Sequence, residues 1–121
     1  MTNSINGRNL DQILIEEDQI FTDLAIRDTI AHSSSISDNQ LFLPRTVLIE
    51  NSHNQSVILT CQGSRYADFS KFVTVGNTFA VAATTNDYVT VLDYFPYLRF
   101  EAICSVAPAS GTLNMWVEKR S

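Results

Sequence analysis

Two histidines are the side chains in this sequence best suited to act as a general base. His32 precedes a run of serines, Ser33 to Ser35, and His53 lies among the turn-forming residues Asn51 to Asn54. A serine nucleophile needs a nearby base and a third group that orients that base. Neither histidine lies in a catalytic motif, so we interpret both as polar loop residues. Since function depends on site chemistry, we predict that the chain has no catalytic residues and is not an enzyme.

Clustered carboxylates are the next candidates, because they can bind cations. Glu16, Glu17 and Asp18 are consecutive, but no segment has the alternating Asp/Asn pattern with a closing Glu that a calcium loop requires. Gly63 and Gly76 stand apart from other glycines, so no phosphate-binding loop is present. We therefore predict no metal site and no cofactor, and we interpret the acidic residues as a solvated surface.

Cys61 and Cys104 both fall on the predicted core faces of strands. Two cysteines make neither a disulfide framework nor a zinc site. One interpretation is a pair of buried free thiols, which we favour. The other is a disulfide between strands, which requires Cα atoms within about 7 Å. The N-terminus has no apolar core of the secretory type, so we expect synthesis inside the cell with reduced thiols.

The charge distribution argues against two classes of partner. The net charge is -5; residues 1–50 contain eight acidic residues and three arginines, whereas residues 51–121 contain five of each sign. An acidic chain without a basic patch is a poor ligand for nucleic acid, because phosphate neutralisation supplies most of that affinity. No stretch approaches the roughly 18 apolar residues that a membrane helix needs. We predict neither a nucleic-acid nor a membrane partner.

Alternation of apolar and polar residues predicts antiparallel strands through most of the chain. One face of these strands is predicted to be the core face, with Val47, Ile49, Val57, Leu59, Cys61, Leu98, Phe100, Ala102, Cys104, Val106, Leu113, Met115 and Val117. Two alternating runs around residues 51–54 indicate a hairpin, and the last hairpin, around Pro108 to Gly111, has the most regular pattern. Residues 64–72 lack alternation and predict a loop or a single helical turn. No βαβ alternation is present. The prediction is an all-β, antiparallel β-sandwich that is jelly-roll-like.

The N-terminal part of the chain predicts an extended arm. Residues 1–11 are rich in polar residues with little apolar content, so we assign 1–30 to the arm and 31–121 to the sandwich domain. Apolar residues of the arm and an outward tryptophan of the final strand are the candidate interface residues: Ile13, Leu14, Ile15, Ile20, Phe21 and Trp116. Tyr94, Tyr97 and Trp116 are also candidates for a sugar-binding platform, although packing is the favoured role of the tyrosines.

Several segments resemble small structural proteins of bacteriophage particles. The segments that carry the resemblance are, in chain order, ENSHNQSVILTCQGSR, VGNTFAVAATT and VLDYFPYLRFEAICSVAPASGTLNMWV. TDLAIRDTIAHSSSI resembles the lead-in that such chains have before the sandwich, so the resemblance covers roughly residues 20–118. Phage decoration (cement) proteins and small head or tail attachment proteins are similar β-sandwiches, often with an extended arm. The resemblance transfers no functional residues, because the shared positions are strands and turns.

This resemblance implies a component of the virion, made in the host cytoplasm. The expected function is that of a capsid decoration protein that binds the outside of a phage shell and stabilises it. Its partners would be the major capsid protein and copies of itself, with a homotrimer at local three-folds as the expected geometry. Two alternatives stay open: a tail, neck or baseplate component, and a carbohydrate-binding module that uses Tyr94, Tyr97 or Trp116.

Overall fold

The alternating sequence pattern folds into strands that alternate in burial. The structure, a computed structural model, describes residues 15–39, 45–92 and 94–120. Within these residues the strands are β1 (Ile15–Leu24), β2 (His32–Ser33), β3 (Ser37–Asp38), β4 (Arg45–Asn51), β5 (Val57–Ser64), β6 (Val73–Thr74), β7 (Phe79–Val81), β8 (Thr85–Val91), β9 (Tyr97–Ile103) and β10 (Leu113–Arg120). The segment 64–72, predicted as a loop or a single helical turn, contains a 3-10 helix, Phe69–Lys71. No helix among the described residues is long and apolar enough to cross a membrane.

The strands form two antiparallel sheets, which confirms the all-β prediction. The four-stranded sheet has the order β1-β10-β4-β8. The six-stranded sheet has β9 and β5 at its centre, with β2 and β3 along β9 and with β6 and β7 along β5. Every strand pair is antiparallel. Each long strand therefore has one face toward the other sheet and one face toward solvent.

Successive strands usually belong to different sheets, and this corrects the predicted hairpins. β4 pairs with β10 and β8, whereas β5 pairs with β9, β6 and β7. β9 and β10, predicted as the last hairpin, likewise lie in different sheets. Alternation specifies which side chains face inward, but it does not specify the partner strand. The turn residues around 51–54 and 108–111 thus reverse the chain between sheets.

The inward faces of both sheets contribute to one hydrophobic core. The residues predicted on these faces are buried: Val47, Ile49, Val57, Leu59, Cys61, Leu98, Phe100, Ala102, Cys104, Leu113, Met115 and Val117. Val106, predicted to continue the face of β9, lies beyond the strand and is 56% exposed. Burying each large apolar side chain contributes about 1.5–3 kcal/mol. Because the inward side chains are packed in this core, only the outward side chains of the strands are available for binding.

Part of the segment predicted as an arm is built into the fold. Residues 15–24 form β1 and pair with β10 along their length, with one register shift between Gln19 and Phe21 and a second between Phe21 and Leu24. Ile20, Phe21 and Ile26 belong to the core cluster. The predicted boundary at residue 30 is therefore displaced, because the apolar residues of this segment complete the core. An arm ahead of Ile15 stays a prediction, since residues 1–14 lie outside the described part of the chain.

A buried lysine joins the two sheets at one end. Lys119 is 2% exposed, and its Nζ donates to Asp18 Oδ2 at 2.8 Å and to the Asp38 carbonyl at 2.7 Å. Glu16 Oε1 lies 3.7 Å from the same nitrogen, and Ser37 donates its hydroxyl to Asp18 Oδ2 at 2.9 Å. A buried charge needs such partners to offset its desolvation. The contact links β1 and β10 of one sheet to β3 of the other.

The connection before β10 packs directly on the turn after β4. Gly111 has a φ of +88°, and a Cβ built on it would lie 2.1 Å from the Ser52 carbonyl oxygen and 2.5 Å from the His53 Cα. Ser52 and Thr112 exchange hydrogen bonds across the contact, with Ser52 N to Thr112 O at 2.9 Å and Thr112 N to Ser52 Oγ at 2.8 Å. Only glycine fits this backbone conformation and this spacing.

Candidate functional site

An apolar row crosses the outer face of the four-stranded sheet. The register places Trp116 of β10 opposite Leu48 of β4, and Leu48 opposite Tyr88 of β8. Gln19 of β1 extends the row on the other side of Trp116. Neighbouring strands are about 4.8 Å apart, so the row spans roughly 14 Å across the sheet. The outward positions of four strands thus form one continuous surface.

The row is accessible to solvent. Tyr88 is 66% exposed and Leu48 is 37% exposed, while Trp116 is half-buried between them and β1. A single exposed apolar side chain is ordinary, but neighbouring apolar side chains on adjacent strands make a patch. Tryptophan and tyrosine are also the residues most enriched at the centres of protein interfaces. The row therefore has the composition of a contact surface.

Acidic side chains flank the row on both sides. Glu17 and Glu118 are register partners on β1 and β10, one step along the strands from Trp116. Glu50 flanks the row in the other direction, opposite Asn114. Arg120 lies two residues beyond Glu118, at the end of β10. An apolar centre with a charged rim is the usual anatomy of a protein interface, here with a predominantly acidic rim.

The candidate interface residues do not form one group. Trp116 lies on the outer row, as its position in the alternating pattern predicted. Ile20 and Phe21 are 4% and 5% exposed and belong to the core, so they do not offer an outer surface. Ile13 and Leu14 lie outside the described residues, and Ile15 begins β1. Leu48 and Tyr88 were missed, although their outward positions in strand-like segments were a readable signal.

The three aromatic residues of the predicted sugar platform do not share a surface. Trp116 faces outward from the four-stranded sheet, whereas Tyr97 is the first residue of β9 and precedes the buried Leu98, on the outer side of the six-stranded sheet. Tyr94 is 47% exposed and lies against Arg45, whose Cζ is 5.7 Å from the tyrosine ring centroid. A platform needs aromatic rings side by side. Among aromatic residues, only Tyr88 shares the outer row with Trp116 in the described part of the chain.

His32 forms a half-exposed pair with Asp28, not with a serine. Its Nε2 lies 2.9 Å from Asp28 Oδ1. This hydrogen bond, together with one from the Ile30 backbone N–H, holds the pKa of Asp28 below its ordinary value. The Ser34 hydroxyl donates to the Ser35 carbonyl and accepts from the Phe100 N–H, both at 2.8 Å. These contacts position a loop and do not assemble a nucleophile with a base.

His53 is fully buried and has a structural role. Asn51 Nδ2 donates to three backbone carbonyls, those of Gln55, Val81 and Ala82, so its Oδ1 is the acceptor. His53 Nδ1, 3.0 Å from that oxygen, therefore carries the ring proton. The unprotonated Nε2 accepts a hydrogen bond from the Ile26 N–H at 3.1 Å. A neutral imidazole thus links the end of β4 to the segment after β1.

We expect His53 to make the protein less stable in mild acid. Burial lowers the pKa of His53 and the nearby Arg27 charge lowers it further, while the Leu24 carbonyl opposes the shift. Between the ordinary value of about 6.5 and the lowered value, the unfolded chain binds a proton that the folded chain does not. Stability should therefore fall as pH decreases from about 6.5 and level off below the lowered pKa.

Urea unfolding from pH 7.5 to 4.5 measures this effect. We expect His53→Gln to be less stable than the unmodified protein at neutral pH. Its stability should not show the decrease below about pH 6.5 that the protonation of His53 causes. His32→Gln is the matched control and should retain it, because His32 is paired at the surface. An NMR titration of the His53 ring gives a direct second readout. A midpoint at or above about 6.5 would contradict the assignment.

Cys61 and Cys104 are both buried thiols that form no disulfide, as the favoured interpretation predicted. Burial raises the pKa of the Cys104 thiol, and the negative charge of Asp28 raises it further, which makes a reactive thiolate unfavourable.

Cys61 borders a cavity of about 260 Å³ at the edge of the core. The other residues that line this cavity include Val75, Phe79, Val89, Leu92 and Phe100. The walls are mainly apolar, and no group of three potential metal ligands is found among the described residues.

The chain was compared with known proteins. No family model matches it, and no curated protein matches it. Among solved structures, the crystal structure of PirA is similar, with a TM-score of 0.49 and 11% sequence identity, over 96% of this chain and 100% of that chain. A likeness at this level carries no argument about function. The functional proposal therefore depends on the surface of this chain.

Proposed function

We propose that this chain is a capsid decoration (cement) protein of a bacteriophage, which binds the outside of the shell and stabilises it by bridging subunits. The observation that carries the proposal is the outer row of Trp116, Leu48 and Tyr88 with its acidic rim. Such a surface suits contact with another protein and offers no bond-making chemistry. The proposed partners are the major capsid protein and copies of this chain, arranged as a homotrimer.

The strand order supports a jelly-roll interpretation of the fold. The two sheets have the orders β1-β10-β4-β8 and β2-β9-β5-β6, and most connections pass from one sheet to the other. In a jelly roll, two Greek keys produce this alternation, and the architecture occurs in viral capsid and lectin domains. A fold alone does not define a function. The topology is therefore compatible with the proposal, whereas the outer row is its basis.

We propose that the arm comprises the residues ahead of β1, in place of the predicted 1–30. Ile13 and Leu14 would supply its apolar contacts with the shell or with a neighbouring copy. A segment that becomes ordered on binding can contact a large surface, and many copies on one lattice strengthen weak contacts. This assignment leaves the core residues of β1 in the folded domain.

Binding to purified phage heads tests the proposal. We expect the full-length chain to coat heads that lack it at high occupancy, and a variant without residues 1–14 to remain folded but to bind at least about tenfold more weakly. Val106→Lys, at an exposed site in the connection between β9 and β10, is the control. Full occupancy by the truncated variant would contradict the role of the arm. A copy number of only a few per particle would favour a tail, neck or baseplate component.

Carbohydrate binding is the second candidate function. Tyr88 and Trp116 lie two strands apart on one sheet face, with Leu48 between them. Aromatic rings exposed on a flat surface can stack against sugar rings. A glycan array distinguishes the two functions, since binding that Tyr88→Ala removes would favour a carbohydrate ligand. No glycan binding together with head binding would favour the decoration role.

A further inference from the structure

A second exposed aromatic cluster lies on the opposite side of the molecule. The connection between β5 and β6 places Phe69 and Phe72 over Arg99 of β9, with the Arg99 Cζ 5.0 Å and 4.6 Å from their ring centroids. Tyr66, Phe69 and Val73 are 59%, 56% and 55% exposed. Arg99 alternates with buried residues of β9, so it faces outward from the six-stranded sheet. We name this surface, formed by residues 65–73 and Arg99, the aromatic loop.

The aromatic loop carries three cationic side chains. Arg65 and Lys71 are exposed, and Arg99 is held by its ring contacts and by donating from Nε to Gln62 Oε1 at 2.7 Å. Asp68 is the acid within the loop, and its carboxylate accepts hydrogen bonds from the Ser70 N–H and hydroxyl. Glu101 lies two residues beyond Arg99 on β9. The cations outnumber these acids.

Of the other cationic side chains that the structure describes, Arg27 is exposed and two are buried. Arg45 and Lys119 are 0% and 2% exposed. Arg27 donates to the carbonyls of Ile26 and Gly111 at 2.8 Å and 3.1 Å. Four of the Lys and Arg side chains that the structure describes are therefore not buried, and three of these four belong to the aromatic loop. The acidic rim of the outer row lies on the other sheet, so the two surfaces have opposite charge.

We propose that the aromatic loop of one copy docks on the outer row of another copy. Phe69 and Tyr66 would contact Tyr88 and Leu48, while the loop cations would meet the acidic rim. Pairing two outer rows would instead bring like-charged rims together, which is unfavourable. Two aromatic loops brought together would likewise place positive charges against each other, which is unfavourable. The contact is therefore head-to-tail, and each copy offers both halves of it.

The size of the outer face indicates weak association in solution. Four strands at about 4.8 Å and some seven residues at about 3.3 Å give a face of roughly 19 Å by 23 Å. A contact of this area lies at the low end of specific interfaces, where complexes are transient. Repetition on a lattice would make such a contact effective. This contact rests on the proposed function, and it specifies how neighbouring decoration copies would meet.

Analytical ultracentrifugation of the purified protein, from about 10 µM to 1 mM, tests the contact without any shell. We expect concentration-dependent association that weakens as salt is raised, because the contact is partly electrostatic. Tyr88→Lys and Phe69→Glu should each weaken self-association by about tenfold or more. Both positions are exposed, so the fold should be retained, which circular dichroism checks. Val106→Lys is the matched control and should associate like the unmodified chain.

Mixing the two variants gives the decisive result. The Tyr88→Lys chain keeps its aromatic loop and the Phe69→Glu chain keeps its outer row, so together they should form a one-to-one dimer that does not grow. The proposal is overturned if the unmodified chain stays monomeric, if only one variant weakens association, or if the mixture forms no dimer. Head binding is measured separately. An unmodified chain that stays monomeric in solution yet coats heads would reject this contact and leave the decoration role standing.

Discussion

Gly111→Ala is expected to unfold the protein or to lower its free energy of unfolding by more than about 4 kcal/mol, which is exceptional for one substitution. The added Cβ would lie 2.1 Å from the Ser52 carbonyl oxygen and 2.4 Å from its carbonyl carbon. Both are backbone atoms, so no side-chain rotation can relieve the overlap. The connection before β10 would have to move away from the turn after β4, breaking the hydrogen bonds between Ser52 and Thr112.

Gly76→Ala is the matched control for this substitution. Gly76 has a similar φ of +73°, but a Cβ at this position meets no atom within 4 Å. Its expected effect is therefore the conformational cost alone, about 1–2 kcal/mol. Urea unfolding of both variants separates backbone strain from steric overlap. Equal destabilisation of the two variants would show that the close approach to Ser52 is unimportant.

Removing residues 1–30 is expected to abolish folding, whereas removing 1–14 should leave the folded domain. The longer deletion removes β1, the edge partner of β10, together with the core residues Ile20, Phe21 and Ile26. Losing a large buried side chain destabilises a domain by about 2–5 kcal/mol. Three such losses are comparable to the whole stability of a typical domain, about 5–15 kcal/mol.

Circular dichroism and thermal unfolding of the two truncated proteins measure this difference. The protein without 1–14 should unfold cooperatively near the temperature of the full chain, since β1 begins at Ile15. The protein without 1–30 should show no cooperative transition. A cooperative transition in the longer truncation would mean that β1 is dispensable. The triple substitution Ile20→Ala, Phe21→Ala and Ile26→Ala in the full chain should reproduce the loss.

The inward and outward positions of the strands could be predicted from the sequence, because they follow from local alternation. Leu98, Phe100 and Ala102 are all fully buried, as the pattern indicated. The same pattern placed Trp116 on the outer side of β10. Periodicity needs no knowledge of the partner strand, so it predicts burial even where the topology is not known.

The sheet assignment could not be predicted, because it depends on contacts between residues far apart in sequence. Turn signals at 51–54 and 108–111 were interpreted as hairpins, yet a turn of the same composition can pass from one sheet to the other. The arm boundary was misplaced for a related reason. The apolar residues at 20–26 resemble those of a docking segment until their partner strand, β10, is known.

The candidate site was only partly predictable. Trp116 was identified by its position, but its neighbours Leu48 and Tyr88 lie on strands distant in sequence. The three side chains are neighbours because β4 lies between β10 and β8 in the sheet, which no local pattern reveals. The aromatic loop was missed for another reason: residues 64–72 lack any periodicity, so only the packing of Phe69 and Phe72 on Arg99 makes them a surface.

The position of β10 inside the four-stranded sheet has a consequence for folding during synthesis. β1 and β4 both pair with β10 and not with each other. Neither the β1–β10 pairing nor the β4–β10 pairing can therefore form until β10 has been synthesised. Ile15 is the register partner of Arg120, at almost the largest separation that the chain allows. Such non-local pairing slows folding, typically to milliseconds or seconds. On the ribosome, the strand edges of β1 and β4 would stay open to other chains, and a holding chaperone would have most effect at this stage.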